Sequence, residues 1–180
     1  AAELARAWDC PVWVETQELR MICGNVATFQ KHSFPLDRWL YLPLLRLAGE
    51  KRIQALISRG GLREFTRALD TDGSVPGLPE WEAVPTPGHT PGHVSFFRRE
   101  DRVLLSGDAA VTRVGPLAGL LCRRSGLTRS PWYFTWDRAV ARRAVATLAE
   151  LEPLVIASGH GKPLSSPDLA ERLRKLAGAQ

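Results

Sequence analysis

Three of the four histidines in this 180-residue chain stand beside glycine, close behind short apolar runs. Thr86-Pro87-Gly88-His89-Thr90-Pro91-Gly92-His93 follows residues 81–84. Ser106-Gly107-Asp108 follows residues 102–105, and Ser158-Gly159-His160-Gly161 follows residues 154–156. Imidazole and carboxylate are the donors that zinc and related divalent metals take. Glycine lets the backbone turn sharply and leaves room beside the main chain. Loops at strand ends carry function on a rigid scaffold. Singly, each dipeptide reads as an ordinary surface turn. In this order, after three strand-like runs, they make His89, Asp108 and His160 the candidate metal ligands. His93 opens the next run and reads as a supporting or structural residue. Thr90 and Lys162 adjoin two of these ligands and are candidates to orient groups or meet an anionic substrate. Their plainer readings are a backbone cap and a solvated cation. His32, beside Lys31, reads as an exposed loop residue.

The elements that must position these loops are mixed. Strands are expected at 12–14, 81–84, 94–97, 102–105 and 154–156, with Glu100-Asp101 as a hairpin turn. A helical period runs through Ala141, Ala144, Val145, Leu148 and Leu151, with Thr135 as the expected N-cap. A last helix has Ser166 as N-cap, Pro167 at its first position, and a stripe of Leu169, Leu173 and Leu176 ending at Gly178. A short opening helix places Leu4 and Trp8 on one face. Residues 30–69 read as helical pieces at about 36–48, 51–58 and 62–69, separated by Gly49 and Gly60-Gly61. With no internal repeat and no linker, the pattern predicts a single domain of α/β or α+β layers.

Composition bounds the function. The formal charge is +5, and all but four of the 24 cations are arginine. No basic run exceeds two residues, so the excess reads as dispersed rather than as a nucleic-acid stripe. Cys10, Cys23 and Cys122 are odd in number and far apart, which disfavours a disulfide framework and suits a reducing compartment. The most apolar stretch, 36–47, contains Asp37, Arg38, Pro43 and Arg46 and is too short to span a bilayer, which needs about 20 apolar residues. A cytoplasmic location is expected; because the chain begins at Ala1, a leader peptide stays open as an alternative.

Thr86 to His93, Leu104 to Asp108 and Ala157 to Pro163 resemble the later motifs of the metallo-β-lactamase superfamily, above all its broad glyoxalase II-like hydrolase branch. The helix at 135–151, its following strand, and the opening helix and strand are similar as well. The resemblance implies an αββα sandwich covering 1–180, with 30–69 as a helical insertion or cap. It implies two divalent ions, zinc first and iron or manganese otherwise. His89 would bind one ion, Asp108 would bridge both, and His160 would bind the second. The superfamily's His-x-His-x-Asp-His loop has no counterpart in these 180 residues; Asp9-Cys10 and His32 have neither its spacing nor its context. The chain therefore reads as N-terminally incomplete, with that loop upstream of Ala1, and is expected to be inactive by itself.

The function implied is a metal-dependent hydrolase, in which a metal-bound hydroxide attacks an ester, thioester or lactone. The partner expected is a small molecule, facing an apolar wall that includes Trp39 and Tyr41; the same helices would serve equally as a homodimer contact. Two alternatives stand beside it: a nucleic-acid phosphodiesterase of the same superfamily, and a non-catalytic scaffold that has lost its first metal motif.

Overall fold

The computed structural model describes residues 2–22, 49, 63–70, 72–113 and 125–178. Helix α1 (Ala2–Trp8) leads into strand β1 (Val12–Val14) and helix α2 (Thr16–Ile22). Strand β2 (Thr66–Ala68) lies parallel to β1, with Val12 opposite Thr66 and Val14 opposite Ala68. Strands β3 (Trp81–Pro85), β4 (Val94–Arg98) and β5 (Val103–Gly107) follow. Next come β6 (Ala110–Arg113), β7 (Ser125–Arg129), a 3-10 turn at Trp132–Phe134, and helix α3 (Arg138–Glu150). Strands β8 (Val155–Ser158) and β9 (Leu164–Ser165) and helix α4 (Leu169–Gly178) complete the chain.

The main sheet has the order β3-β4-β5-β8-β9. Strands β3, β4 and β5 are antiparallel neighbours, and the β4–β5 connection turns at Glu100-Asp101 as expected. Strands β5 and β8 are parallel, so the chain between them must cross over. It does so through the β6–β7 pair and α3. Two metal-loop candidates thereby come to the same end of the sheet: one follows β5 and the other follows β8.

The core lies between this sheet and the packed pair α3 and α4. Val84, Phe97, Leu104 and Ile156 contribute from the strands. Val145, Leu148 and Ala149 meet them from α3, and Leu169 and Leu173 from α4. Alternation along β5 follows the two-residue period: Leu104 and Ser106 are buried while Leu105 is exposed.

Several expectations are corrected. Asp137, not Thr135, caps α3: its Oδ1 accepts from the backbone N–H groups of Ala139 and Val140, at 2.8 and 3.0 Å. Thr135 is buried and donates instead to the Pro131 carbonyl. A carboxylate nearer the helix reaches two orphan N–H groups that a hydroxyl at 135 cannot. Helix α4 starts at Leu169, because residues 167–168 form a turn. The opening helix forms as expected, with Leu4 and Trp8 both exposed and Ala5 its buried residue. Residues 63–69, expected to be helical, form a turn and β2. Pairing with β1, continued by Leu69 N–H donating to the Val14 carbonyl, outweighs a weak local helical pattern. The helical pieces at 36–48 and 51–58, with Trp39, Tyr41 and the dimer contact assigned to them, lie outside the described residues, as does His32. Among the described residues no helix is long and apolar enough to cross a membrane.

Candidate functional site

Asp108 is the centre of the site. It follows β5, and two imidazoles approach it from different elements. His89 Nε2 lies 3.4 Å from Asp108 Oδ2, and His160 Nε2 lies 3.6 Å from Oδ1. The structure thus brings together the three ligand candidates read from sequence. They do not converge on one point: among the described residues no group of three or more His, Cys, Asp or Glu side chains is already arranged to hold an ion. The two imidazoles address opposite oxygens of one carboxylate, which makes two donor pairs sharing Asp108.

Asp108 Oδ1 is buried and lacks a hydrogen-bond partner. A buried carboxylate oxygen without a donor is costly, about 1–3 kcal/mol or more. A Cβ at Gly159 would lie 2.6 Å from this oxygen, so glycine there keeps the space beside it open. The backbone draws the two loops together, with Gly159 N–H donating to the Gly107 carbonyl at 2.9 Å.

Each ligand candidate is held from behind. His89 Nδ1 shares a 3.1 Å hydrogen bond with Ser130 Oγ, leaving Nε2 aimed at Asp108. Ligating histidines are characteristically oriented through the other ring nitrogen in this way. The His89 loop is also tied to the start of α3, since Trp136 and Asp137 N–H groups donate to the His89 and Gly88 carbonyls. At the loop's far end Gly92 N–H donates to Glu18 of α2 at 3.0 Å.

His93 is a structural support rather than a ligand candidate. Asp108 N–H donates to His93 Nε2 at 3.0 Å, so that nitrogen carries the lone pair. Nδ1 therefore carries the proton and donates to Thr86 Oγ1 at 2.8 Å. Thr86 then donates to Ser95 Oγ, and Ser95 to the Ser106 carbonyl. This directed chain crosses the buried end of β3, β4 and β5. Burial foremost, with the neighbouring His89 adding to it and Asp108 opposing, pushes the His93 pKa down to about 4. The ring stays neutral near pH 7, as its acceptor role demands.

The His160 loop has its own latch. Thr112 Oγ1 donates to the Lys162 carbonyl at 2.8 Å, and Ser158 Oγ donates to the His160 carbonyl at 2.7 Å. Thr112 N–H is shared between Ser158 Oγ and the His160 carbonyl. Thr112→Val should therefore cost about 1–2 kcal/mol in urea unfolding, because the shape is kept and the Lys162 carbonyl loses its donor. An unchanged unfolding midpoint would remove Thr112 from this role.

Thr90 serves through its backbone, its carbonyl accepting from Gly88 N–H and His93 N–H. Lys162 is exposed. Sequence reading missed Ser130, Thr112 and Ser95, whose roles depend on tertiary placement and leave no local signal. A cleft of about 320 Å³ opens beside His89 and Asp108. Its walls include Arg129 at the end of β7, Ser130 and Trp132 after it, and Arg138, Ala141 and Ala144 of α3.

A sheet with strand-end His and Asp loops, closed by paired helices, is the arrangement of metal-centre hydrolase folds built as layered sandwiches. Residues 1–160 match the family model for the metallo-beta-lactamase superfamily, and the chain belongs to that superfamily. It is 35% identical over 178 residues to the probable metallo-hydrolase YflN of Bacillus subtilis (strain 168), covering 97% of this chain and 64% of that relative. The chain thus spans a little under two thirds of that relative's length. Among solved structures, BLEG-1 B3 metallo-beta-lactamase matches with a TM-score of 0.54 at 18% identity, over 98% of this chain and 70% of the other. AidC, a dizinc quorum-quenching lactonase solved with the product N-hexnoyl-L-homoserine, matches with a TM-score of 0.51 at 12% identity, over 82% of this chain and 47% of the other. These likenesses show a shared fold, the αββα sandwich expected from the motifs.

Proposed function

We propose that this chain carries part of the metal centre and the substrate cleft of a metal-dependent hydrolase acting on a carbonyl ester, thioester or lactone. The observation that carries the reading is the Asp108 carboxylate, set between two imidazoles with one oxygen buried and lacking a donor. The residues present fit a divalent ion. Two imidazole nitrogens and a shared carboxylate are zinc-type donors, and an ion is the partner the orphaned oxygen lacks. His89 and Asp108 Oδ2 would hold one ion, and His160 and Asp108 Oδ1 a second. A divalent ion in such a site supplies Lewis acidity and a nucleophilic water at neutral pH.

The chain's own residues do the rest. Ser130 orients His89, His93 fixes the Asp108 loop, and Thr112 with Ser158 fixes the His160 loop. The cleft beside Asp108 would receive the substrate body, with Trp132 and Ala144 among its walls. The 97% coverage by a relative named as a probable metallo-hydrolase supports the reading, and the dizinc lactonase supports zinc and an ester-type bond.

The test is hydrolysis of a panel of thioesters, lactones, aryl esters, β-lactams and phosphodiesters by the natural polypeptide that contains this chain. Carbonyl esters should be cleaved, with activity lost on chelation and restored by zinc, iron or manganese. Activity that persists in excess chelator, or that is confined to phosphodiesters, overturns the proposal.

A further inference from the structure

The cleft holds a charge arrangement that the metal-ligand loops do not explain. Arg129, at the end of β7, and Arg138, the first residue of α3, both line it. Among the described residues no carboxylate lies within ion-pair distance of Arg129, Arg138 or Arg142. Arg129 is partly buried, and its guanidinium is held below the usual arginine range by burial and then by the charges of Arg142 and Arg138. Arg138 is set against its own helix. The Asp137 carboxylate at this helix end is committed to the backbone N–H groups of Ala139 and Val140, so Arg138 is the charge the first turn leaves over. Local stability explains neither the clustering nor the position. Among the described lining the one carboxylate, Asp108, lies with the two imidazoles and within ion-pair distance of neither arginine, so the arginines mark a place where an anion is to be supplied from outside.

The rest of the cleft narrows the class of anion. Trp132 is exposed at its mouth, while Ala141, Ala144 and Leu176 give an apolar wall. At about 320 Å³ the space suits a small molecule rather than a polymer strand. Arginine forks pair two N–H groups with the two oxygens of a carboxylate or phosphate. We infer that this cleft is a subsite for a carboxylate or phosphate group on a small, apolar-bodied substrate, with Arg129 and Arg138 gripping the oxyanion and Trp132 covering the body. That the ligand is a substrate rests on the hydrolase reading; that the cleft binds such an oxyanion does not.

Calorimetric titration of the chain in metal-stripped, low-salt buffer separates the two. The probes are 4-phenylbutyrate, its uncharged amide, and phenyl phosphate. At least one anion should bind roughly tenfold or more tightly than the amide, as expected of charge-assisted hydrogen bonds. Arg129→Ala and Arg138→Ala should each weaken that anion about tenfold, and Arg143→Ala, on a position outside the cleft, should leave it unchanged. Arg138→Ala carries no folding risk, since it removes a cation from a helix start. Equal binding of acid, phosphate and amide overturns the subsite, as does anion binding indifferent to both cleft variants. Because no turnover is read, chelator-sensitive hydrolysis without anion preference would sink the subsite alone. Anion preference without hydrolysis would sink the hydrolase reading alone.

Discussion

On the hydrolase reading proposed above, Asp108→Ala in the natural polypeptide that contains this chain should abolish retention of divalent metal and lower ester hydrolysis roughly 10³-fold or more, while leaving the metal-free fold as stable as before or slightly more stable. The two halves of this expectation come from different atoms of one residue. The carboxylate is shared by both imidazoles, so its removal breaks both donor pairs at once. The backbone N–H, which anchors the loop to His93, is untouched by the substitution. The fold therefore keeps its hydrogen bond and loses a buried oxygen that has no donor. Relief of that unpaired group is worth about 1 kcal/mol. Metal content by mass spectrometry, turnover, and urea unfolding in the presence of chelator read the three parts. Asp108→Asn is the companion variant, keeping the shape and removing the charge. A fall of several kcal/mol in metal-free stability would show Asp108 to be structural, and retained turnover would remove it from the reaction.

His89→Ala and His160→Ala should weaken metal retention less than Asp108→Ala, since each leaves one pair intact. The difference between them reports their surroundings. His89 is mostly buried and held by Ser130, whereas the His160 side chain is largely exposed.

The site loops were legible in the sequence because glycine marks them. Gly88, Gly107 and Gly159 each bracket a turn beside a His or Asp, and the runs before them alternate or cluster as strands do. The same punctuation could not show which loops meet. That depends on β5 and β8 being parallel neighbours, a pairing made across some fifty residues of chain and invisible to any local window. Residues 63–69 failed for the same reason in reverse: a partner strand at 12–14 decides their conformation. The cap of α3 failed on degeneracy, because Thr135 and Asp137 are both residue types that favour helix starts and only geometry separates them. The arginines were the subtlest case. Read along the chain, Arg129, Arg138 and Arg142 are dispersed single charges; folded, the turn between β7 and α3 brings Arg129 and Arg138 to the cleft, with Arg142 near enough to act on Arg129.

Gly88→Ala should destabilise the protein by about 3–5 kcal/mol and displace His89 in whatever remains folded. Two independent costs add. Gly88 adopts φ of +135°, a conformation that strains an L-residue by about 1–3 kcal/mol. A Cβ there would also lie 2.3 Å from Ala141 Cα and 2.4 Å from Ala141 N. Both are backbone atoms of α3, so no side chain can rotate away, and overpacking of this kind costs about 1–3 kcal/mol. The loop and helix cannot simply part, because the Asp137 N–H donates to the Gly88 carbonyl and Asp137 also caps α3. Separation would fray the helix start that carries Arg138 and carry His89 away from Asp108 together. Gly77→Ala is the matched control: with φ of +79° and nothing within 4 Å of where its Cβ would lie, it incurs the strain without the clash. Urea unfolding of both variants should therefore show Gly88→Ala losing at least about 1–2 kcal/mol more than Gly77→Ala. Equal losses would mean that α3 yields freely, and that the close approach of loop and helix does not hold His89 in place.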